Sequence, residues 1–223
     1  RVDSVQQGKL LFGKNIIITG ASSGIGYEIA KKCLLEGGNV LCVARNEEKL
    51  MAAIEKLKNE TGNDDVHYLQ WDIADISVCE NKCRKAIDLL GGHIDCLVNS
   101  AGMTSKVNIA DCTPEQWDNI FNVNLKGLFF ITSALIHLTT GLAKEYVSYN
   151  IRVNAIAPGP TVSDMFSVDP NGDLHSGNRC KRAFRSEEVA ETALFLLSNA
   201  SNCITGEVIA CNGGNSIRTD AFC

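Results

Sequence analysis

A chain of 223 residues with 45% hydrophobic content is long enough to bury one large core as a single domain. Its formal net charge of −5 leaves no basic footprint for nucleic acid, and no apolar run is long enough to span a membrane. Ten cysteines are scattered without a Cys-x-x-Cys or a Cys/His cluster at ligand spacing, which argues against a metal and for a reduced, cytoplasmic protein.

The opening Arg1-Val2-Asp3-Ser4 is not a signal peptide and carries no initiator Met. The run Ile16–Ile18 then reads as a strand buried on both faces, as in a parallel sheet. It ends in Thr19-Gly20-Ala21-Ser22-Ser23-Gly24-Ile25-Gly26, and a helix follows at once with Ile25, Ile29, Cys33 and Leu34 on one face. Strand, glycine turn and helix start make an anion site, because the free N–H groups and the dipole of the first turn point at the turn. Gly20 permits the tight turn, Gly24 lets a pyrophosphate approach the backbone, and Gly26 lets the helix pack on the sheet.

Strand and helix signals alternate from there. Asn39–Val43 is a second strand, Glu47–Asn59 a helix broken at Thr61-Gly62-Asn63, Val66–Gln70 a third strand, and Ile76–Leu90 a helix. Cys79 and Cys83, one turn apart, read as partly buried free thiols. Ile94–Val98 is the fourth strand. Thr113 caps the next helix with Pro114 at its first position, and the apolar residues from Trp117 to Ile136 cover more than one face, so a second subunit is expected there. The segment Asn150–Gly159 gives a strand stopped by Pro158-Gly159. Ser186 caps a helix through Leu196, and Ile204–Ile209 is the last strand. The alternation predicts an α/β doubly wound parallel sheet of Rossmann type.

No acid stands at Ala44, Arg45 or Asn46, where NAD-binding folds place one for the ribose hydroxyl. Arg45 offers instead a guanidinium fork suited to a 2′-phosphate, which tilts the cofactor toward NADP.

The stretch Thr-Gly-Ala-Ser-Ser-Gly-Ile-Gly resembles the cofactor turn of the short-chain dehydrogenase/reductase family. Asn99-Ser100-Ala101-Gly102 (Ser100 departing from the usual Asn), Asn122-Val123-Asn124-Leu125-Lys126-Gly127 and Asn150-Ile151-Arg152-Val153-Asn154-Ala155-Ile156-Ala157-Pro158-Gly159 resemble its later segments. The resemblance runs from Gly13 to Gly214 and implies an NADP-dependent oxidoreductase interconverting a carbonyl and an alcohol, assembled as a homotetramer. It implies that the cofactor meets Gly20, Ser22, Ser23, Gly24, Ile25 and Gly26, then Arg45 and Asn46, then Asp72 and Ile73, then Asn99, Ala101 and Gly102, and finally Pro158 and Gly159. Ser163 takes the place of the usual Thr at the nicotinamide, with Thr161 as a rival. Asn124 falls at the family's active-site asparagine, which holds a water of the proton relay through its backbone.

One departure outweighs these matches. The family's chemistry rests on a Ser closing the fifth strand and a Tyr-x-x-x-Lys in the next helix, and none of these occurs between Asn124 and Ile151. His137–Tyr146 already resembles the back half of that helix. About one βα unit, roughly thirty residues or more, is absent. Tyr27 and Lys31 have the right spacing but follow the glycine turn, away from any nicotinamide. His137, Tyr146 and Tyr149 offer no lysine-supported alternative. In the family's strand order the lost strand lies between the fourth strand and the one ending at Pro158. Its omission would leave two central edges about 10 Å apart with unpaired backbone, so the sheet must rearrange. The expectation drawn from this is a gap between observed residues, in a protein heavier than 24.1 kDa. The other reading is a binding protein without catalysis, a sensor or scaffold.

Overall fold

The computed structural model describes residues 8–104, 111–135, 151–163 and 182–214. Its elements in chain order are β1 (Asn15–Thr19), α1 (Gly24–Leu35), β2 (Asn39–Ala44), α2 (Glu47–Thr61), β3 (Val66–Gln70), a 3₁₀ turn (Ile76–Val78) and α3 (Cys79–Leu89). Then come β4 (Cys96–Asn99), α4 (Pro114–Phe121), a π-helical turn (Asn122–Gly127), α5 (Leu128–Leu135), β5 (Ala155–Pro158), α6 (Ser186–Leu197) and β6 (Val208–Cys211). The strand–helix alternation is that of a Rossmann-like α/β fold.

β1, β2, β3 and β4 form one parallel sheet in the order β3-β2-β1-β4. The β1 side chains alternate between two cores. Ile16 and Ile18 face a cluster with Ile29, Cys33 and Leu34 of α1 and Leu50, Ile54 and Leu57 of α2. Ile17 faces a second cluster with Cys83 and Ala86 of α3 and Ile131 of α5. Helices thus cover both faces, and every β1 residue is buried.

Among the described residues β4 pairs only with β1, and β5 pairs only with β6, in a separate two-stranded parallel sheet. The division falls where the resemblance puts the absent strand. Both sides still rest on one core, since Cys96 and Val98 of β4 and Ile156 of β5 pack against the cluster that holds α1 together with Ala190, Ala193 and Leu194 of α6. Lys32 of α1 pairs with Glu191 of α6 across the same contact. The sequence is numbered without interruption from residue 1 to residue 223, and the residues of the absent βα unit have no counterpart in it.

Local signals place most element ends. Asn46 caps α2 by accepting the Lys49 N–H at 2.9 Å. That helix runs two residues past the expected Asn59, because Gly62 takes the left-handed conformation (φ 63°) and donates to Lys58 O. Thr113 and Gln116 form a reciprocal capping box at α4. β4 starts two residues late because the Asp95 carboxylate accepts the Asn15 N–H at 2.8 Å and Lys14 at 3.2 Å, tying this stretch to the start of β1. Ser186 does not cap α6. Arg185 is the capping residue, its N–H donating to Glu188 Oε2 at 2.8 Å, while the Ser186 hydroxyl donates to Val162 O. β6 begins only at Val208, after Gly206 turns the chain at φ 81° and donates to Val153 O.

Candidate functional site

The C-terminal ends of β1, β2, β3 and β4 converge on one cleft of about 390 Å³. Ligands in open α/β sheets bind at this end of the strands. The glycine turn forms its floor. Gly20 N–H and Ala21 N–H both donate to Val43 O, at 2.8 and 3.3 Å, which fastens the turn to β2. The buried Thr19 hydroxyl accepts the N–H groups of Ser100 and Ala101, both at 3.2 Å, which fastens it to the loop after β4.

These contacts leave no room for a side chain. A Cβ on Gly20 (φ 70°) would lie 2.7 Å from Ala101 Cα, and one on Gly26 would lie 2.4 Å from Gly20 O. Gly24 is left-handed at φ 58°, and a Cβ there would sit 3.3 Å from Ser163 Cβ, which brings the loop after β5 over the turn. Ser23 precedes α1 without a side-chain capping bond, so it does not occupy the amides of the first turn.

Of the residues expected at the cofactor, Gly20, Ser22, Ser23, Gly24, Ile25, Gly26, Arg45, Asn46, Asp72, Ile73, Ala101, Gly102 and Ser163 line this cleft. Asn99 closes β4 in register with Thr19 and is not part of the lining. Pro158 and Gly159 also lie outside it. Pro158 pairs with Cys211, and Gly159 N–H donates to Cys211 O at 3.0 Å, in the second sheet. Between Thr161 and Ser163 the cleft takes Ser163. Thr161 is 7% exposed and turns its hydroxyl back onto Gly159 O at 2.9 Å. Asp72 also holds its own turn, its carboxylate accepting the Ala74 N–H at 3.0 Å.

Asn124 sits in the π-helical turn and does not line the cleft. It accepts the Met103 N–H through Oδ1 and donates to Met103 O through Nδ2, both at 2.8 Å. Met103 is part of the lining. Sequence reasoning passed over Lys49, Trp71, Ser100, Met103 and Val123, all in the lining. Lys49 had a signal, four residues after Arg45 at the start of a helix.

Tyr27 and Lys31 stand apart from this chemistry. The Tyr27 hydroxyl donates to Glu60 Oε2 at 3.1 Å and Lys31 pairs with the same atom at 2.7 Å. Burial, then Glu60, pushes the Tyr27 hydroxyl well above its usual pKa, the reverse of what a proton-transferring tyrosine needs. His137, Tyr146 and Tyr149 lie outside the described residues. Cys79 and Cys83 are buried thiols.

The chain belongs to the short-chain dehydrogenase family, whose model matches residues 14–138. A second model, described as enoyl-(acyl carrier protein) reductase, matches residues 131–216. Among its relatives are the 3-oxoacyl-(acyl-carrier-protein) reductases of Chlamydia trachomatis, 30% identical over 247 residues (92% of this chain, 98% of the relative), and of Thermotoga maritima, 30% identical over 244 residues (92% and 98%). Since 92% of 223 residues is about 205, a 247-residue match leaves about forty positions of the Chlamydia protein without a counterpart here. A Brucella melitensis 3-ketoacyl-(acyl-carrier-protein) reductase complexed with NADH superimposes with a TM-score of 0.82 at 26% identity (92% of this chain, 99% of that one). A Burkholderia cenocepacia short chain dehydrogenase in complex with NADP shares the fold, with a TM-score of 0.82 at 24% identity (92% and 99%).

The residues present fit a phosphorylated dinucleotide. The glycine cradle would be filled by any Cβ at Gly20 or Gly26, the α1 amides are not taken by a cap, and the cleft carries Arg45 with no acid at the end of β2.

Proposed function

We propose that this protein binds NADP(H) in the cleft above β1 and β2 and acts as an oxidoreductase interconverting a carbonyl and an alcohol. The observation that carries the reading is the Gly20–Gly26 cradle, sharing one cleft with Arg45. The bound cofactor would supply or accept the hydride. The chain's own residues would hold the pyrophosphate on the first turn of α1, take the 2′-phosphate on Arg45, and keep the Met103 loop in place through Asn124. The relatives' names make a 3-oxoacyl thioester the first substrate to test.

One observation favours a second reading, a binding protein without turnover. The only Tyr-x-x-x-Lys in the sequence is Tyr27 with Lys31, and both are committed to Glu60. The test is NADPH titration followed by NADPH oxidation with acetoacetyl-coenzyme A. Binding with turnover supports the first reading, binding without turnover against a panel of carbonyls supports the second, and no binding overturns both.

A homotetramer in the cytoplasm is part of the same proposal. Self-association is supported by the apolar stripe of α4 and the π-helical turn, where Trp117 is 56% exposed and stacks on the exposed Phe121 at 4.2 Å, with Leu125 also exposed. Sedimentation as a monomer at micromolar concentration would count against it.

A further inference from the structure

We infer that Lys49 is a second cation for the 2′-phosphate of NADP(H), acting with Arg45 to set the preference over NAD(H). This rests on the NADP(H) reading above. A phosphate monoester carries between one and two negative charges at neutral pH, its second pKa being about 6, so one guanidinium leaves part of the charge unmatched. Arg45 and Lys49 are the two cations lining the cleft among the described residues. They flank Asn46, whose side chain holds the Lys49 N–H and so fixes the first turn of α2 beside the end of β2.

The surrounding charges separate Lys49 from its neighbours. It also lines an adjoining cavity of about 630 Å³, together with Lys56, Arg185 and the acids Glu28 and Glu187, neither of which forms an ion pair with Lys49. Lys56 pairs with Glu60 at 3.7 Å and Arg185 with Glu188 at 3.9 Å. Lys49 has no ion pair among the described residues, and its side chain borders both spaces. The one acid in the cleft lining, Asp72, accepts the Ala74 N–H. Lys49 is therefore the ammonium free to meet an anion held at Arg45, and its exposed position lets it do so without disturbing the core.

The test measures dissociation constants of the full chain for NADPH, NADH, 2′,5′-ADP and 5′-AMP, in wild type, Lys49→Gln and Lys49→Arg. Lys49→Gln is expected to weaken NADPH and 2′,5′-ADP about tenfold while leaving NADH and 5′-AMP unchanged. Lys49→Arg should restore the wild-type values, and the Lys49→Gln effect should shrink below pH ~6 as the phosphate takes up its second proton. A wild type that favours NADPH and keeps that preference in Lys49→Gln overturns the role of Lys49 alone. Equal weakening of all four ligands overturns it too. A wild type with no preference for the 2′-phosphate overturns the NADP(H) reading and this inference together.

Discussion

Asn124 holds Met103 with both ends of its amide, accepting the N–H and donating to the carbonyl at 2.8 Å each. The loop after β4 is thereby tied to the π-helical turn between α4 and α5, and the side chain of the expected catalytic asparagine is committed to backbone. Any part in a proton relay falls to its main chain. Asn124→Ala removes both bonds and should cost about 1–3 kcal/mol of stability in urea unfolding. It should also lower turnover, if the protein turns over, more than it lowers NADPH affinity. Asn124→Asp keeps the acceptor but sets a carboxylate oxygen against Met103 O in place of the donor, so at neutral pH it should also be less stable than wild type.

The glycine turn predicts a contrast between two residues of similar φ. Gly20 stands at φ 70° against Ala101, while Gly62 stands at φ 63° with nothing within 4 Å of the position a Cβ would take. Gly62→Ala should cost only the backbone strain, about 1–2 kcal/mol, and leave NADPH binding intact. Gly20→Ala adds a collision with backbone at 2.7 Å and should abolish binding as well as destabilise the fold. Equal behaviour of the two variants would refute the cradle.

Glu60 links pH to stability. Its hydrogen bond with Lys31, and then that with Tyr27, holds its carboxyl below the usual range, while the bond to Glu60 raises Lys31. A carboxyl depressed in the folded state stabilises the protein above its unfolded pKa of about 4.3, and that contribution is lost as pH falls through the folded value. Glu60→Gln should therefore be less stable than wild type at pH 7. The difference should close as the pH drops below about 4. A constant difference across this window would assign the stabilisation to something other than Glu60 ionisation.

The thiols should divide by burial. Burial pushes Cys42 and Cys83 up to about 12 and Cys96 to about 11, whereas Cys203 is exposed. Iodoacetamide at pH ~8 should label Cys203 in the native protein and reach Cys42 and Cys83 only after unfolding, as read by peptide mass spectrometry. Native labelling of Cys42 would contradict its place in the core.

The elements legible in the sequence are those whose signals are local. The Ile16–Ile18 run, the Gly20–Gly26 turn, Val66–Gln70 and the Thr113-Pro114 helix start each follow from burial pattern, backbone freedom or capping within a few residues, and the structure has all four. The absence of a βα unit was legible too, because a motif has fixed spacing. Where the sheet divides was decided by pairing between remote segments, β4 with β1 and β5 with β6, which no local preference encodes. The same holds for the site. That the Ser186 hydroxyl turns to Val162 O, and that Ser163 and not Thr161 meets the cleft beside Gly24, depend on partners brought from elsewhere in the chain. A polar side chain takes whichever donor or acceptor the fold places within reach, and only the tertiary structure sets that choice.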